Sequence, residues 1–486
     1  MNHAISTQPP TGVVVYRSWG RALKPLRVLV PLVAALLLAG CATSAAIDPA
    51  RLPSAPAAFK EAGAPTAAVT VAPAAAQTSG NWWTVFADPV LDQLVERAGQ
   101  NNNSVQVAAG RLAQARAIAR QTDANRAPLL NLGGGVSRGT DANAGNRPST
   151  VVSVGANLSY EVDLFGKLAG ASNAASLDAA SREALLRSTR LLVQADVAQT
   201  YLNLRALDTE RVLVRDTLQA YRNTLRLTEV RFREGDVAEL DVARVRTEVA
   251  STESEALALD RRRAELEHAL AVLVGEAASS FAVAPVEWVT ALPVIPAGVP
   301  STVLVRRPDI SAAQSSMQAA QARVGVAETA WFPTFSLTAS GGYAAPEIGD
   351  LFKLSTRAWG IGALLSLPIF DGGRREAGVQ GANAELDIAL ASYREQVLVA
   401  FRDVEDQLSA IRLLADQAEA QSRSVASASR ATLLSDSRYR NGFVSQLELL
   451  DAQRSELRNR RQALQVKASQ YIATVGLIRA LGGGWV

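Results

Sequence analysis

The chain has 486 residues, 48% of them hydrophobic but only 5% aromatic, a balance that favours long packed helices over an aromatic-rich sandwich. One Cys (Cys41) and two His (His3 and His268) exclude an intrachain disulfide and a Cys/His metal cluster. The formal charge of +3 does not point to nucleic acid: residues 1–40 hold Arg17, Arg21, Lys24 and Arg27 and no acid, and losing those four cations takes +3 to −1.

Residues 1–40 have the pattern of a secretory signal peptide. Arg21, Lys24 and Arg27 precede an apolar core, "VLVPLVAALLLAG", which is shorter than the roughly 20 apolar residues of a mature membrane helix. It ends in "LAGC", which resembles the bacterial lipobox and makes Cys41 the expected lipid anchor. Ala42 rather than Asp follows, which by the same resemblance implies the outer membrane. Residues 41–80 are rich in Ala and Pro and read as an acylated, extended tether.

Two repeats follow, over residues 81–274 and 301–481, joined by a linker or equatorial segment at 275–300 and closed by a tail at 482–486. Each opens with a helix running to a Pro, Pro128 or Pro333. Each continues with a strand pair, about 128–163 and about 333–369. Val152, Val154, Ala156, Leu158 and Tyr160 alternate with Ser153, Gly155, Asn157 and Ser159. Phe335, Leu337, Ala339, Gly341 and Tyr343 alternate with Ser336, Thr338, Ser340 and Gly342. One face is apolar and the other small and polar, as in a membrane strand beside a wet lumen.

A very long helix comes next in each half. Leu186, Arg190, Val193, Val197, Thr200, Leu204, Leu207, Arg211, Val214, Leu218, Tyr221, Leu225, Thr228 and Phe232 step by three and four, a coiled-coil seam. Residues 167–233 would span roughly 100 Å. "RFREG" and "RYRNG" then end the two long helices at Gly235 and Gly442, 207 residues apart. Glycine closes a helix in the left-handed conformation, and the arginines before it suit the negative helix terminus. A second helix starts after each, so the signal predicts two helix–turn–helix tips. Shorter helices at about 102–126 and 237–274 would lie end to end along the long one.

Four strands cannot close a barrel alone, and an open edge in lipid is costly. Three copies would give twelve strands with threefold symmetry. The expected fold is therefore mainly α with a membrane β-barrel: a trimeric twelve-stranded barrel, four strands per chain, continuous with a coiled-coil periplasmic barrel.

The stretches "WWTVFADPVLDQLV", "VPSTVLVRRPDISAAQ", "PIFDGG", "RYRNG" with "LELLDAQR", and the terminal "ALGGGW" resemble the TolC-like outer membrane factor family, in its lipoprotein branch of OprM/NodT-like channels. The resemblance covers about residues 81–485. It implies a homotrimeric, passive conduit in outer membrane lipid, joined through a periplasmic adaptor (membrane fusion) protein to an inner-membrane pump of the RND type. No enzyme activity, cofactor, metal or nucleic-acid partner is implied. The alternatives are a channel for type I protein secretion and a periplasmic scaffold without a pore.

The resemblance also implies a periplasmic gate at Leu447, Asp451 and Arg454, whose spacing puts them on one helix face. Arg454 or Arg244 would latch Asp451. The first tip departs from the pattern, because Arg244 stands where Asp451 stands in the second. Arg231, Phe232, Gly235, Arg438, Tyr439 and Gly442 are the expected adaptor-docking tips.

Overall fold

The computed structural model describes residues 49–61, 80–140, 148–296, 298 and 300–485. Cys41 and the signal segment lie outside the described residues. Among the described residues the chain is mostly helical, with one small sheet. The helices are α1 (Pro89–Asn101), α2 (Asn103–Ala124), α3 (Lys167–Arg233), α4 (Glu239–Leu273), α5 (Pro300–Arg306), α6 (Pro308–Glu328), α7 (Arg374–Arg440) and α8 (Gln446–Ala480). The strands are β1 (Leu129–Thr140), β2 (Pro148–Val162), β3 (Thr334–Ala345) and β4 (Arg357–Ser366). None of the described helices is long and apolar enough to cross a membrane.

The two halves are built to one plan. α3 and α7 have 67 residues each, and α4 and α8 have 35 each. Every boundary of α3 and α4 recurs 207 positions later: 167 and 374, 233 and 440, 239 and 446, 273 and 480. The seam on α3 is buried at Leu186, Val193, Val197, Leu204, Leu207, Val214, Leu218, Tyr221 and Thr228. It is exposed at Arg190, where a charged head stays in water, and at Phe232.

Two shorter helices do lie end to end along each long one. In the first half Asn102 breaks the run between α1 and α2 with an extended backbone and caps α2, its side chain accepting from the amides of Ser104 and Val105. The same side chain donates to the Leu273 carbonyl at 2.8 Å, at the end of α4. In the second half Arg307 stands between α5 and α6 and reaches the Ala480 carbonyl at 3.3 Å, at the end of α8. One residue thus satisfies an otherwise unpaired helix-end carbonyl at each junction.

The sheet is antiparallel in the order β1-β2-β3-β4. Its register aligns Leu130, Leu158, Ala339 and Ile361 on one face, and Asn131, Asn157 and Ser340 with Gly360 on the other. Gly342 is required by close strand approach: a Cβ there would lie 2.3 Å from the Val154 carbonyl oxygen and 2.6 Å from the Gly155 Cα. β1 is exposed along its whole length, and Leu132, Val136, Trp359 and Ile361 are each more than 70% exposed. Among the described residues both edges, β1 and β4, are unpaired.

The main core sits where the helix junctions meet. Trp82, Trp83, Phe86, Trp288, Tyr471 and Trp485 are buried there with Val303 and Ile310. Asp88 caps α1 and also accepts from the Tyr201 hydroxyl at 2.8 Å and the Thr290 hydroxyl at 2.8 Å. The stretches "WWTVF", "RRPDI" and "GGGW" therefore contribute to packing at the waist of the molecule.

Candidate functional site

The candidate site is the pair of helix tips, far along α3 and α7 from the sheet. Gly235 and Gly442 both have the left-handed conformation, with φ of +84° and +76°. At the first tip the Asp236 amide donates to the Arg231 carbonyl at 2.9 Å and the Gly235 amide to the Phe232 carbonyl at 3.0 Å. At the second, Phe443 donates to Arg438 at 2.9 Å and Gly442 to Tyr439 at 3.0 Å. These are two Schellman closures with identical donor and acceptor positions, and each satisfies two helix-end carbonyls. Phe443, 75% exposed, projects from the second turn. Its counterpart is Asp236, so the pattern shared by the tips did not single it out.

The tips are packed on each other. The Arg231 guanidinium lies 4.9 Å from the centre of the Tyr439 ring, within cation–π range. Tyr439 is buried, so its part at the tip is to support Arg231 and the turn. Thr228 donates its hydroxyl to the Gln446 side chain at 3.1 Å in a buried contact between α3 and α8. Beneath it Tyr221, Val245 and Leu450 form a small apolar core shared by α3, α4 and α8.

Because Gln446, Leu449 and Leu450 take the buried face of α8, Leu447, Asp451 and Arg454 fall on its free face. Arg454 pairs with Asp451 on its own helix at 3.3 Å and with Glu248 on α4. Arg244 pairs instead with Asp241, one turn earlier on α4, at 3.5 Å. Of the two candidate latch residues, Arg454 meets Asp451 within the chain. Its second partner, Glu248, was not found from the sequence, because the pair joins two hairpins about two hundred residues apart.

Seven residues further on, Arg461 repeats the device, reaching Glu210 on α3 at 2.7 Å and Glu255 on α4 at 2.5 Å. α8 is thus fastened to the first hairpin at two levels about 10 Å apart along its axis. The hydrogen bond to Glu248 holds the Arg454 pKa above its ordinary value. Burial, aided by the Glu248 charge, pushes the Tyr221 phenol up to about 12, so it stays neutral below the pair.

The family model for outer membrane efflux proteins matches residues 94–276 and 299–483. The chain belongs to the outer membrane efflux protein family. It is an outer membrane component of an efflux system. It is 35% identical over 419 residues to the pyoverdine export outer membrane protein OpmQ of Pseudomonas aeruginosa, covering 83% of this chain and 87% of the other. It is 31% identical over 408 residues to the cation efflux system protein CusC of Escherichia coli, covering 84% and 89%. The structure of the outer-membrane channel OprN superposes with a TM-score of 0.84 at 29% identity, covering 91% of this chain and all of that one. The two matched segments correspond to the two structural halves, and each ends just beyond its second helix.

Proposed function

We propose that three copies of this chain form a continuous duct: a twelve-stranded barrel in the outer membrane, and a helical tunnel in the periplasm that narrows at the tips. The observation that carries this reading is the unequal covering of two equivalent helices. α3 packs against α2 and α4 of its own half and against α6 and α8 of the other. α7 has its own α6 and α8, but among the described residues no helix of the first half packs along it as α6 and α8 pack along α3. A second copy's α2 and α4 would take those places. The same step that places β3 beside β2 places the next copy's β1 beside β4, and so joins the two open edges. Repeated three times, it closes the ring.

The duct takes 81–274 and 301–481 as its two repeats and 275–300 as its equatorial segment. Cys41 carries the lipid. Arg51 is held at the membrane-proximal part of α7 by Asp387 at 2.5 Å, and Glu61 lies further down at Arg412, at 2.7 Å. The ten residues from Cys41 to Arg51 reach about 33 Å when extended, whereas Arg374 to Asp387 rises only about 20 Å. The anchor can therefore reach the level of the barrel.

At the periplasmic end the six turns present the adaptor-docking surface, with Gly235 and Gly442 shaping the turns and the arginines and rings stiffening them. Leu447 and Asp451 form the constriction, and Arg454 latches it. A ring of carboxylates favours cations. An inner-membrane pump of the RND type supplies cargo through the adaptor. One relative is named for cations and another for pyoverdine, at similar identity, which supports a duct whose cargo is chosen by the pump. Conduit and gate are non-enzymatic. The efflux names of the relatives do not favour protein secretion.

The test is reconstitution of the full-length lipidated protein in planar bilayers, with its mass measured in detergent. A trimeric mass and cation-preferring channel events are expected. Trimers that insert without conducting would overturn the duct, and a stable monomer would overturn the assembly.

A further inference from the structure

The 207-residue repeat relates the tips residue by residue. Arg231 becomes Arg438, and Phe232 becomes Tyr439. Within one chain Arg231 of the first half lies over Tyr439 of the second. The operation that carries the first half onto the second carries the second onto the first half of the next copy. It therefore carries the Arg231–Tyr439 pair onto Arg438 and the neighbour's Phe232.

Exposure agrees with that placement. Tyr439 is 3% exposed, whereas its counterpart Phe232 is 43% exposed. Arg438 is exposed, and among the described residues its side chain forms no ion pair or ring contact. An exposed ring and an exposed cation thus stand at the positions that the repeat relates to a buried ring and its cation. The same difference recurs along the long helices. Ser181 and Ala206 are buried on α3, while their counterparts on α7, Ile388 and Leu413, are exposed. Apolar side chains left open on α7 are what a covering second copy requires.

The ion-pair latch and the apolar core at the tip are not repeated. Glu248 and Arg454 map onto Ser455 and Thr247, which cannot form an ion pair. Tyr221, Val245 and Leu450 map onto Ala428, Ala452 and Ala243. Inside the chain the seam between hairpins has a latch and a small apolar core of bulky side chains. At the positions corresponding to the latch and that core, the side chains are small or uncharged. Two tip contacts survive the operation: the arginine–aromatic pair, and the Thr228–Gln446 hydrogen bond, whose counterparts Ser435 and Glu239 keep a hydroxyl donor and a carboxylate acceptor.

We propose that Arg438 of one copy packs on the Phe232 ring of the next, as a fastening between copies at the periplasmic tips. The ring of tips then alternates between two cation–π contacts, Arg231 on Tyr439 within a chain and Arg438 on Phe232 between chains. This rests on the trimeric reading above.

The experiment uses the full-length lipidated protein in detergent without adaptor. The double variant R438C/F232C is treated with a short thiol-specific bifunctional reagent, alongside each single variant. The double variant should convert most of the monomer band to covalent dimer and trimer, and the single variants should not. In parallel, F232A should lower the temperature at which the trimer dissociates and F232W should retain it. R438A/F232A should be no worse than either single change.

If the mass is trimeric but the double variant gives no ladder, the pairing is wrong. If the mass is monomeric, the failure lies with the trimer itself and the pairing falls with it. If trimer dissociation is unchanged in F232A and R438A while adaptor binding is lost, the two residues serve docking and the pairing is overturned.

Discussion

Arg454 on α8 joins two carboxylates at once: Asp451, one turn back on its own helix, and Glu248 on the other hairpin. The second contact is the informative one, because it ties the two tips of one chain together next to the exposed Leu447. Glu248 is the better shielded partner, with 14% of its side chain exposed against 62% for Asp451. Opening that separates α4 from α8 must break this pair.

Arg454→Ala and Glu248→Ala should therefore each raise the open probability of the isolated channel. A partly exposed pair contributes about 1 kcal/mol, so about a fivefold rise per latch is expected, and the double variant should add little. Leu447→Ala should also raise opening. Asp451→Ala should reduce cation preference, with a smaller effect on the latch because Arg454 keeps Glu248. Single-channel recording in planar bilayers measures both quantities. Unchanged opening in the Arg454 and Glu248 variants would remove them from the gate.

Gly442 is expected to matter through its backbone alone. A Cβ there would meet nothing within 4 Å, but its φ of +76° is strained for a β-branched residue. Gly442→Val should cost about 1–2 kcal/mol locally and abolish export while trimers persist, whereas Gly442→Asn should be tolerated. Gly482→Val should behave differently. There a Cβ would lie 2.9 Å from the Arg306 carbonyl oxygen, so the junction at the waist should loosen and expression should fall. Export assays with trimer yield as the control separate the two effects.

Two buried tyrosines make opposite predictions. The Tyr221 hydroxyl is buried and has no hydrogen-bond partner among the described residues, so Tyr221→Phe should be neutral or stabilising at pH 7. The Tyr201 hydroxyl donates to Asp88 and accepts from the Arg205 Nε at 2.9 Å, so Tyr201→Phe should cost about 1–3 kcal/mol. Burial raises the Tyr221 pKa from 10.0 to about 12. Its folded form resists ionisation, so the stability associated with the neutral phenol is fully present below pH 10 and is lost as pH rises through 12. Two units amount to about 3 kcal/mol. Thermal melts between pH 9 and 12 should show a smaller alkaline loss in Tyr221→Phe than in the parent. Equal losses would show that Tyr221 does not titrate in this way.

Helix lengths, tip positions and strand alternation were legible because each depends on local pattern: the seam from Leu186 to Thr228, the Gly235 and Gly442 stops, the period-two runs around Val154 and Leu337. Long-range partners were not. Glu248 carries no local mark of its pairing with Arg454. Tyr439 and Phe232 look alike in sequence, yet one is buried and the other open, because Arg231, far away in sequence, lies over Tyr439 and not over Phe232. "RRPDI" stood out as a family signature, but only the fold shows that Arg307 works at a helix junction.

Arg307 provides the last test. Its side chain, 9% exposed, donates to Asp309 at 2.7 Å, to Asp403 at 3.3 Å and to the Ala480 carbonyl at 3.3 Å. Burial disfavours its charge, but the hydrogen bonds to Asp309 and Asp403 outweigh that and hold its pKa above the ordinary value. Arg307→Ala would leave two carboxylates half-shielded and a helix-end carbonyl without its donor, at a cost of about 3 kcal/mol. Arg307→Lys should recover only part, because an ammonium cannot reproduce the planar fork that serves three acceptors. Denaturant unfolding of the purified protein measures the loss. Since the residue lies at the waist and not at the tips, channels that do assemble should keep the parent's conductance and cation preference. A variant of unchanged stability and altered gating would reverse this assignment and move Arg307 from the scaffold to the gate.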